Sequence, residues 1–303
     1  MPDRKTTSAA PESEELLSQV GEKDGIREKL LRMARQNKLA AFSALVILVI
    51  VLMAIFAPVI CRYGEAEQDL LHRLEAPSAA HIWGTDELGR DVFTRILYGA
   101  RVSLVVGIVP SVIALLVGVT LGLVAGYFGG WADYLIMRLA DVMLSIPSLL
   151  LAMVVMYTLG TSTMTLLIAL SLTNWASVAR VVRSQTRSLK KTEYVEAAAS
   201  IGVSKTKIMF RHIMPNCIPS LIVLFTLNIP SAILSESSLS FLGIGVQPPQ
   251  ASWGLIVNQA KQYLFSSPWL CLAPSLAIMV VVLAFNFLGD GLRDVLDPYM
   301  KKG

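Results

Sequence analysis

Residues 39–60 carry no charged side chain, and neither do residues 102–128, 142–159, 163–179, 217–234 or 264–288. A helix needs roughly 20 apolar residues to cross a hydrocarbon core about 30 Å thick. Within that core only helices and closed barrels satisfy every backbone polar group. Six such runs, the third extended back through Leu135, predict an all-α integral membrane protein with six transmembrane helices. Only 16% of residues are charged, against about a quarter in soluble domains. The runs lack the alternating pattern of outer-membrane strands, so an inner or plasma membrane is expected. The first run is longer than a signal-peptide core, follows a long polar segment and lacks an A-x-A cleavage pattern, so it is expected to remain as an anchor.

Six spans put both chain ends on one side, and lysine and arginine decide which side that is. Eight basic residues precede the first run, and eight more lie between the fourth and fifth, from Arg180 to Arg211. The two long loops on the opposite side hold six between them. Both termini and the segment 193–215 are therefore expected in the cytoplasm. The net charge of +4 reads as a topological signal and gives no reason to expect nucleic acid. Cys61, Cys217 and Cys271, like His72, His81 and His212, are scattered without metal-ligand spacing.

The chain divides into a cytoplasmic tail, 1–38, a first span, 39–60, an external loop, 61–101, and a core of five spans, 102–303. Residues 26–38 pattern as a basic amphipathic helix against membrane lipid, or as a solvated extension of the first span. In the external loop Thr85 or Asp86 can cap an interfacial helix on which Asp91 and Arg95 lie four apart. In the second loop, 236–268, Pro248-Pro249 forbids a helix, and Ser252 opens an amphipathic stretch that lies on or dips into the outer face. Pro147, Pro230 and Pro274 are candidate kinks. Arg138 and Asp141, at i and i+3, suggest a local ion pair.

The most unusual connection is EYVEAAASIGVSKTKIMFRHIMP, residues 193–215, inside a long cytoplasmic loop 181–215. Thr192 is placed to cap a helix on which Tyr194, Ala197, Ala198 and Ile201 share a face. Gly202 stands where a left-handed residue would end it, and Ser204 can begin a second short helix ahead of Pro215 and Pro219. Alanines on an exposed face let another backbone approach closely, the shape of a plug for a partner's groove. Physics alone leaves this reading open beside that of an ordinary solvated loop.

Glu196-Ala197-Ala198, then Gly202, then His212-Ile213-Met214-Pro215 resembles the EAA coupling loop of bacterial ABC importer permeases. His212 departs from the family's usual aliphatic residue, but H-I-x-P-N, ending on Asn216, is similar to the peptide-transporter branch. GTDELGRDVFTRILYGARVSL, GYFGGWADYLIMRLADVMLSIPSLLLA, SFLGIGVQPPQASWG and FNFLGDGLRDVLDP resemble the same group, the C-type subunit of the dipeptide/oligopeptide/nickel permease family. The resemblance implies a type I ABC importer permease fold and half of a translocation pore. It further implies a homologous second (B-type) permease, two cytoplasmic ATPase subunits and an extracytoplasmic substrate-binding protein as partners. The ATPase-coupling residues implied are Glu196, Ala197, Ala198, Gly202, His212, Ile213 and Pro215.

The chain has no G-x-x-x-x-G-K-[ST] loop, so ATP and Mg are expected on the partner ATPases, with no cofactor, metal site or catalysis here. Polar groups inside spans tend to face other helices or a cavity. This makes Ser145, Ser171, Asn174, Asn228, Ser231, Ser235 and Glu236 candidates for the translocation path, with helix–helix hydrogen bonding as the alternative for the serines and asparagines. Short peptides are the expected cargo, and nickel or a metal chelate is the alternative within the family. An ion-coupled secondary transporter would need paired charges at mid-span, which are nearly absent. A membrane scaffold for a cytoplasmic complex is the remaining class.

Overall fold

The computed structural model describes residues 37–296. The tail and most of the basic amphipathic stretch at 26–38 lie outside the described residues. Within them the chain is helical, with a single isolated bridge between Thr85 and Asp91. In order the helices are α1 Lys38–Ile55, α2 Val92–Phe128, α3 Gly130–Ser145, α4 Ser148–Leu159, α5 Thr163–Leu189, α6 Glu193–Ser200, α7 Lys205–Phe241, α8 Trp253–Ala260 and α9 Trp269–Leu296. Five of them, α1, α2, α5, α7 and α9, are long and apolar enough to cross a membrane, and α3 with α4 makes a sixth if the bent pair is one span.

Two expected spans take a different form. The third is bent by 91° between α3 and α4. Pro147 lacks an N–H and pushes Ile146 into the extended region (φ −95°, ψ 129°), so the helix stops and restarts. The second span has no separate interfacial helix before it. Nothing from Asp91 to Val102 interrupts the helical pattern, so α2 runs unbroken for 37 residues, about 55 Å at 1.5 Å per residue. The division expected at 101/102 thus falls inside one helix. Its cap is Asp91, which accepts from Thr94 N at 2.8 Å. Asp86 instead gathers charge. Its Oδ2 accepts from Arg90 Nε at 2.7 Å and from Arg95 Nη1 at 2.6 Å, and Arg95 Nη2 reaches Gln259 Oε1 at 2.8 Å.

The first span also ends early, at Ile55, with a one-turn helix Ala57–Ile60 after it. Its first residues rest on α9, where the Ala40 methyl fills the space a side chain at Gly291 would need. α9 in turn packs on α7, and α7 on α2.

The most extensive pairing joins α2 to α5. Gly118, Gly122 and Gly126 recur every fourth residue and so share one face of α2. A Cβ on Gly118 would stand 2.6 Å from Val178 Cβ and 2.7 Å from Trp175 O. On Gly122 it would stand 2.6 Å from Ala179 O, and on Gly126 2.6 Å from Thr186 Cβ. In lipid, helices associate through close packing, and small residues permit it. The expected i, i+3 ion pair gives way to bonds across helices: Asp141 accepts from Arg180 Nη2 at 2.9 Å and Asp133 takes the fork of Arg183, both arginines on α5. Arg138 instead lies over the Tyr134 ring, 5.4 Å from its centroid.

Backbone oxygens cannot retreat as a flexible side chain can, so Gly122→Val should force α2 and α5 apart. We expect a loss of about 1–3 kcal/mol in reversible denaturation of the purified protein, the usual cost of overpacking. Leu116→Ala, on the exposed side of the same helix, should stay within about 0.5 kcal/mol. Equal losses for the two would count against the packing account.

Candidate coupling surface

α5 leaves the bundle carrying Arg180, Arg183 and Arg187, and the chain turns at Lys190–Thr192 into α6. Thr192 occupies the N-cap position, but its hydroxyl turns back to Leu189 O (2.6 Å) and caps nothing. Gly202 ends the helix as its position suggested, at φ +81°, with Val203 N bonded to Ala198 O at 3.1 Å. No atom lies within 4 Å of where its Cβ would be, so glycine is required here by the backbone alone.

The face expected for a partner is divided. Ala198 and Val195 are buried, and Val195 belongs to one apolar cluster with Leu123 and Tyr127 of α2, Val178 and Val182 of α5, and Ile208, Ile213 and Cys217 of α7. Glu193, Glu196, Ala197 and Ile201 remain exposed, Ile201 to 81%. The reason is one of phase. Val195 and Ala198, at i and i+3, take the inward side, and Tyr194 and Ala197 are left beside it.

The expected second helix is continuous with the fifth span. Residues Ile208–Ile213 form a π-helical turn in which Met214 N bonds to Met209 O, five residues back. Pro215 follows at the first turn of the α-helical part and Pro219 within it. The π turn falls just before Pro215, which has no N–H to donate, a common setting for such irregularities. Ile213 is fully buried, His212 is half-buried and Pro215 is exposed. Asn216 Nδ2 donates to His212 O at 2.7 Å and to Tyr194 Oη at 3.2 Å. This link from α7 to α6 gives His212 and Asn216 a shared structural role, which spacing in the sequence did not reveal.

Two lysines complete the seat. Lys190 Nζ donates to Tyr127 O at 2.7 Å and lies over the Tyr127 ring, and Lys205 lies 5.8 Å from the Phe128 ring centroid. Gln185 Nε2 bonds to Ser220 Oγ at 2.6 Å, tying α5 to α7 just inside the seat. The loop is therefore a fixed platform on the ends of three long helices, with an exposed acidic and apolar ridge.

The other candidates lie elsewhere. Ser145, Ser171, Ser231 and Ser235 each donate to a carbonyl on their own helix, as does the Asn174 amide. Asn228 Nδ2 is buried without a partner among the described residues. Glu236 is fully buried and accepts hydroxyls from Ser240, Ser252 and Ser237.

Comparison with known proteins places these features. Residues 118–302 match the binding-protein-dependent transport system inner membrane component family, and residues 29–77 match the N-terminal TM domain of oligopeptide transport permease C. The dipeptide transport system permease protein DppC of Alkalihalophilus pseudofirmus is 46% identical over 88% of each chain. The oligopeptide transport system permease protein OppC of Bacillus subtilis is 42% identical over 91% of this chain and 90% of its own. The glutathione transport system permease protein GsiD of Pectobacterium atrosepticum is 42% identical over 91% of each. With membrane-length helices, a platform at the α5–α7 junction and this similarity along nearly the whole chain, the protein belongs to the family of inner-membrane components of binding-protein-dependent transport systems.

Proposed function

We propose that the chain forms half of the pore of an ATP-driven importer of short peptides. A second permease, two ATPases and an external binding protein complete the assembly. The relatives named for dipeptide, oligopeptide and glutathione transport support the substrate class. Six spans with both termini in the cytoplasm, α3 and α4 counted as one, agree with the basic residues gathered from Arg180 to Arg211. The chain itself is non-catalytic, and the ATPases bind ATP and Mg.

The observation that carries the mechanism is the join between platform and span. The ridge of Glu196, Ala197 and Ile201 sits on α6, Gly202 sets its angle, and α7 continues from the platform through the bundle as one helix. An ATPase groove closing on the ridge therefore moves the end of a span directly. Such a coupling suits rigid-body switching of the cavity between inward- and outward-facing forms. In this scheme Ala198, Ile213 and the His212–Asn216–Tyr194 link hold the ridge to the span, while Glu196 and Ala197 meet the partner. Asn228, with its amide nitrogen unpartnered among the described residues, is the strongest of the path candidates.

Glu196→Lys and Gly202→Pro should insert and assemble normally. In reconstituted vesicles ATP-dependent peptide uptake should fall roughly tenfold or more while ATP hydrolysis persists, the effect of about 1.4 kcal/mol lost at one contact. Normal uptake by both variants would rule out this coupling surface.

Gly202→Ala isolates the backbone contribution, because the side chain meets empty space. Holding alanine in the left-handed region costs about 1–2 kcal/mol, so uptake should drop less than in Gly202→Pro. An alanine variant as impaired as the proline variant would show that the left-handed turn is not what the position supplies.

A further inference from the structure

Glu236 lies near the end of α7 remote from the coupling platform and is 0% exposed. Its Oε1 accepts the hydroxyls of Ser240 and Ser252, each at 2.7 Å, and Oε2 accepts Ser237 at 3.3 Å. A serine hydroxyl has one proton to give and two lone pairs to receive. Ser240 and Ser252 use both capacities, because Ser240 Oγ accepts Val246 N at 3.0 Å and Ser252 Oγ accepts Leu255 N at 3.2 Å. One carboxylate oxygen thus orients the two hydroxyls that hold the loop 242–251 and the first turn of α8. No cation pairs with Glu236 among the described residues. What the arrangement uses is acceptor capacity.

α8 is also bound to α2. Trp253 N donates to Ser103 Oγ at 3.2 Å, Trp253 Nε1 donates to Ile96 O at 3.0 Å, and Gln259 accepts from Arg95. We infer that Glu236 is a positioning residue that fastens α8 to the far end of α7, joining the far ends of the second and fifth spans into one body. A displacement entering α7 at the coupling platform is thereby delivered to α8 and on to α2. The role of this joint in transport rests on the importer reading, whereas the joint itself does not.

The test uses the assembled transporter in lipid nanodiscs, with hydrogen exchange read over residues 242–258, and peptide uptake in vesicles. Glu236→Ala should speed exchange at Val246 and Leu255 by roughly tenfold or more, because both hydroxyls lose their shared acceptor. Uptake should fall with it. Glu236→Gln should stay within about twofold of the unmodified protein in both measurements, since an amide offers the same acceptor oxygen. Ser252→Ala, which removes the cap itself, should expose Leu255 and leave Val246 protected, and Glu236→Gln decides between acceptor and charge even if Glu236→Ala fails to assemble. A glutamine variant as impaired as the alanine variant would overturn the proposal in favour of a role for the charge. Full protection of Val246 and Leu255 in Glu236→Ala would overturn it as well. The expected exchange pattern in a complex without ATP-dependent uptake would sustain the joint and remove the importer reading.

Discussion

The close approach of α2 and α5 sets the position of nearly everything else. Lipid offers no hydrophobic reward for bringing two apolar helices together, so contact has to come from fit. Gly118, Gly122 and Gly126 provide that fit by removing side chains where Trp175 O, Ala179 O and Arg183 O come nearest. The stripe ends at Gly126 opposite Thr186, and the next residue, Tyr127, begins the seat of the coupling platform. Lys190, four residues beyond Thr186, bonds back to Tyr127 O. The same contact that holds two spans together therefore fixes where α6 stands.

Polar side chains inside the spans follow a second constraint. A hydroxyl in hydrocarbon needs an acceptor, and the carbonyl four residues back is always at hand. Ser111, Thr120, Ser171, Thr226, Ser235 and Ser238 all take it. Such a residue reports little about a cavity, because its needs are met wherever it faces. Glu236 has no such local solution. Beside Ser237 in its own turn, it takes donors from Ser240 one turn on and from Ser252, which reaches it from the cap of α8. That difference makes the carboxylate, and not the many hydroxyls around it, the informative polar group at the far end of α7.

Features governed by local chemistry were legible in the sequence. The apolar runs marked five helices of membrane length, Gly202 marked the end of α6, and Ser252 marked the start of α8, where it accepts from Leu255 N. Features governed by neighbours were not. Asp133 and Asp141 had nearby arginines in sequence, but α5 presents Arg183 and Arg180 with better geometry. Ala198 shared a plausible exposed face until the packing of α6 on the π turn Ile208–Ile213 was known. The bend at Pro147 was expected as a kink, and its size depends on the restart at Ser148 that the packing of α4 on α5 permits. The glycine stripe was open to reading as repeated G-x-x-x-G, yet inside so apolar a run it was hidden by the stronger signal of hydropathy.

The junction between α6 and α7 joins these strands. The proposed coupling treats α7 as a lever, which must be stiff along its length and compliant at one place. α7 is a continuous helix for 37 residues. Pro230 lies farther along it, and its widest irregularity is the π turn Ile208–Ile213 with Pro215 and Pro219 after it. There the hydrogen-bond ladder is already widened, so a change of angle breaks fewer regular bonds than it would elsewhere. Beyond the turn, Gln185 and the buried Cys217–Leu221 side of α7 hold the helix to α5 and α2. The turn's own Ile208 and Ile213 are buried in the same cluster, so compliance is placed where α6 and α7 meet the bundle, and a small rotation of α6 there becomes a displacement of the whole span.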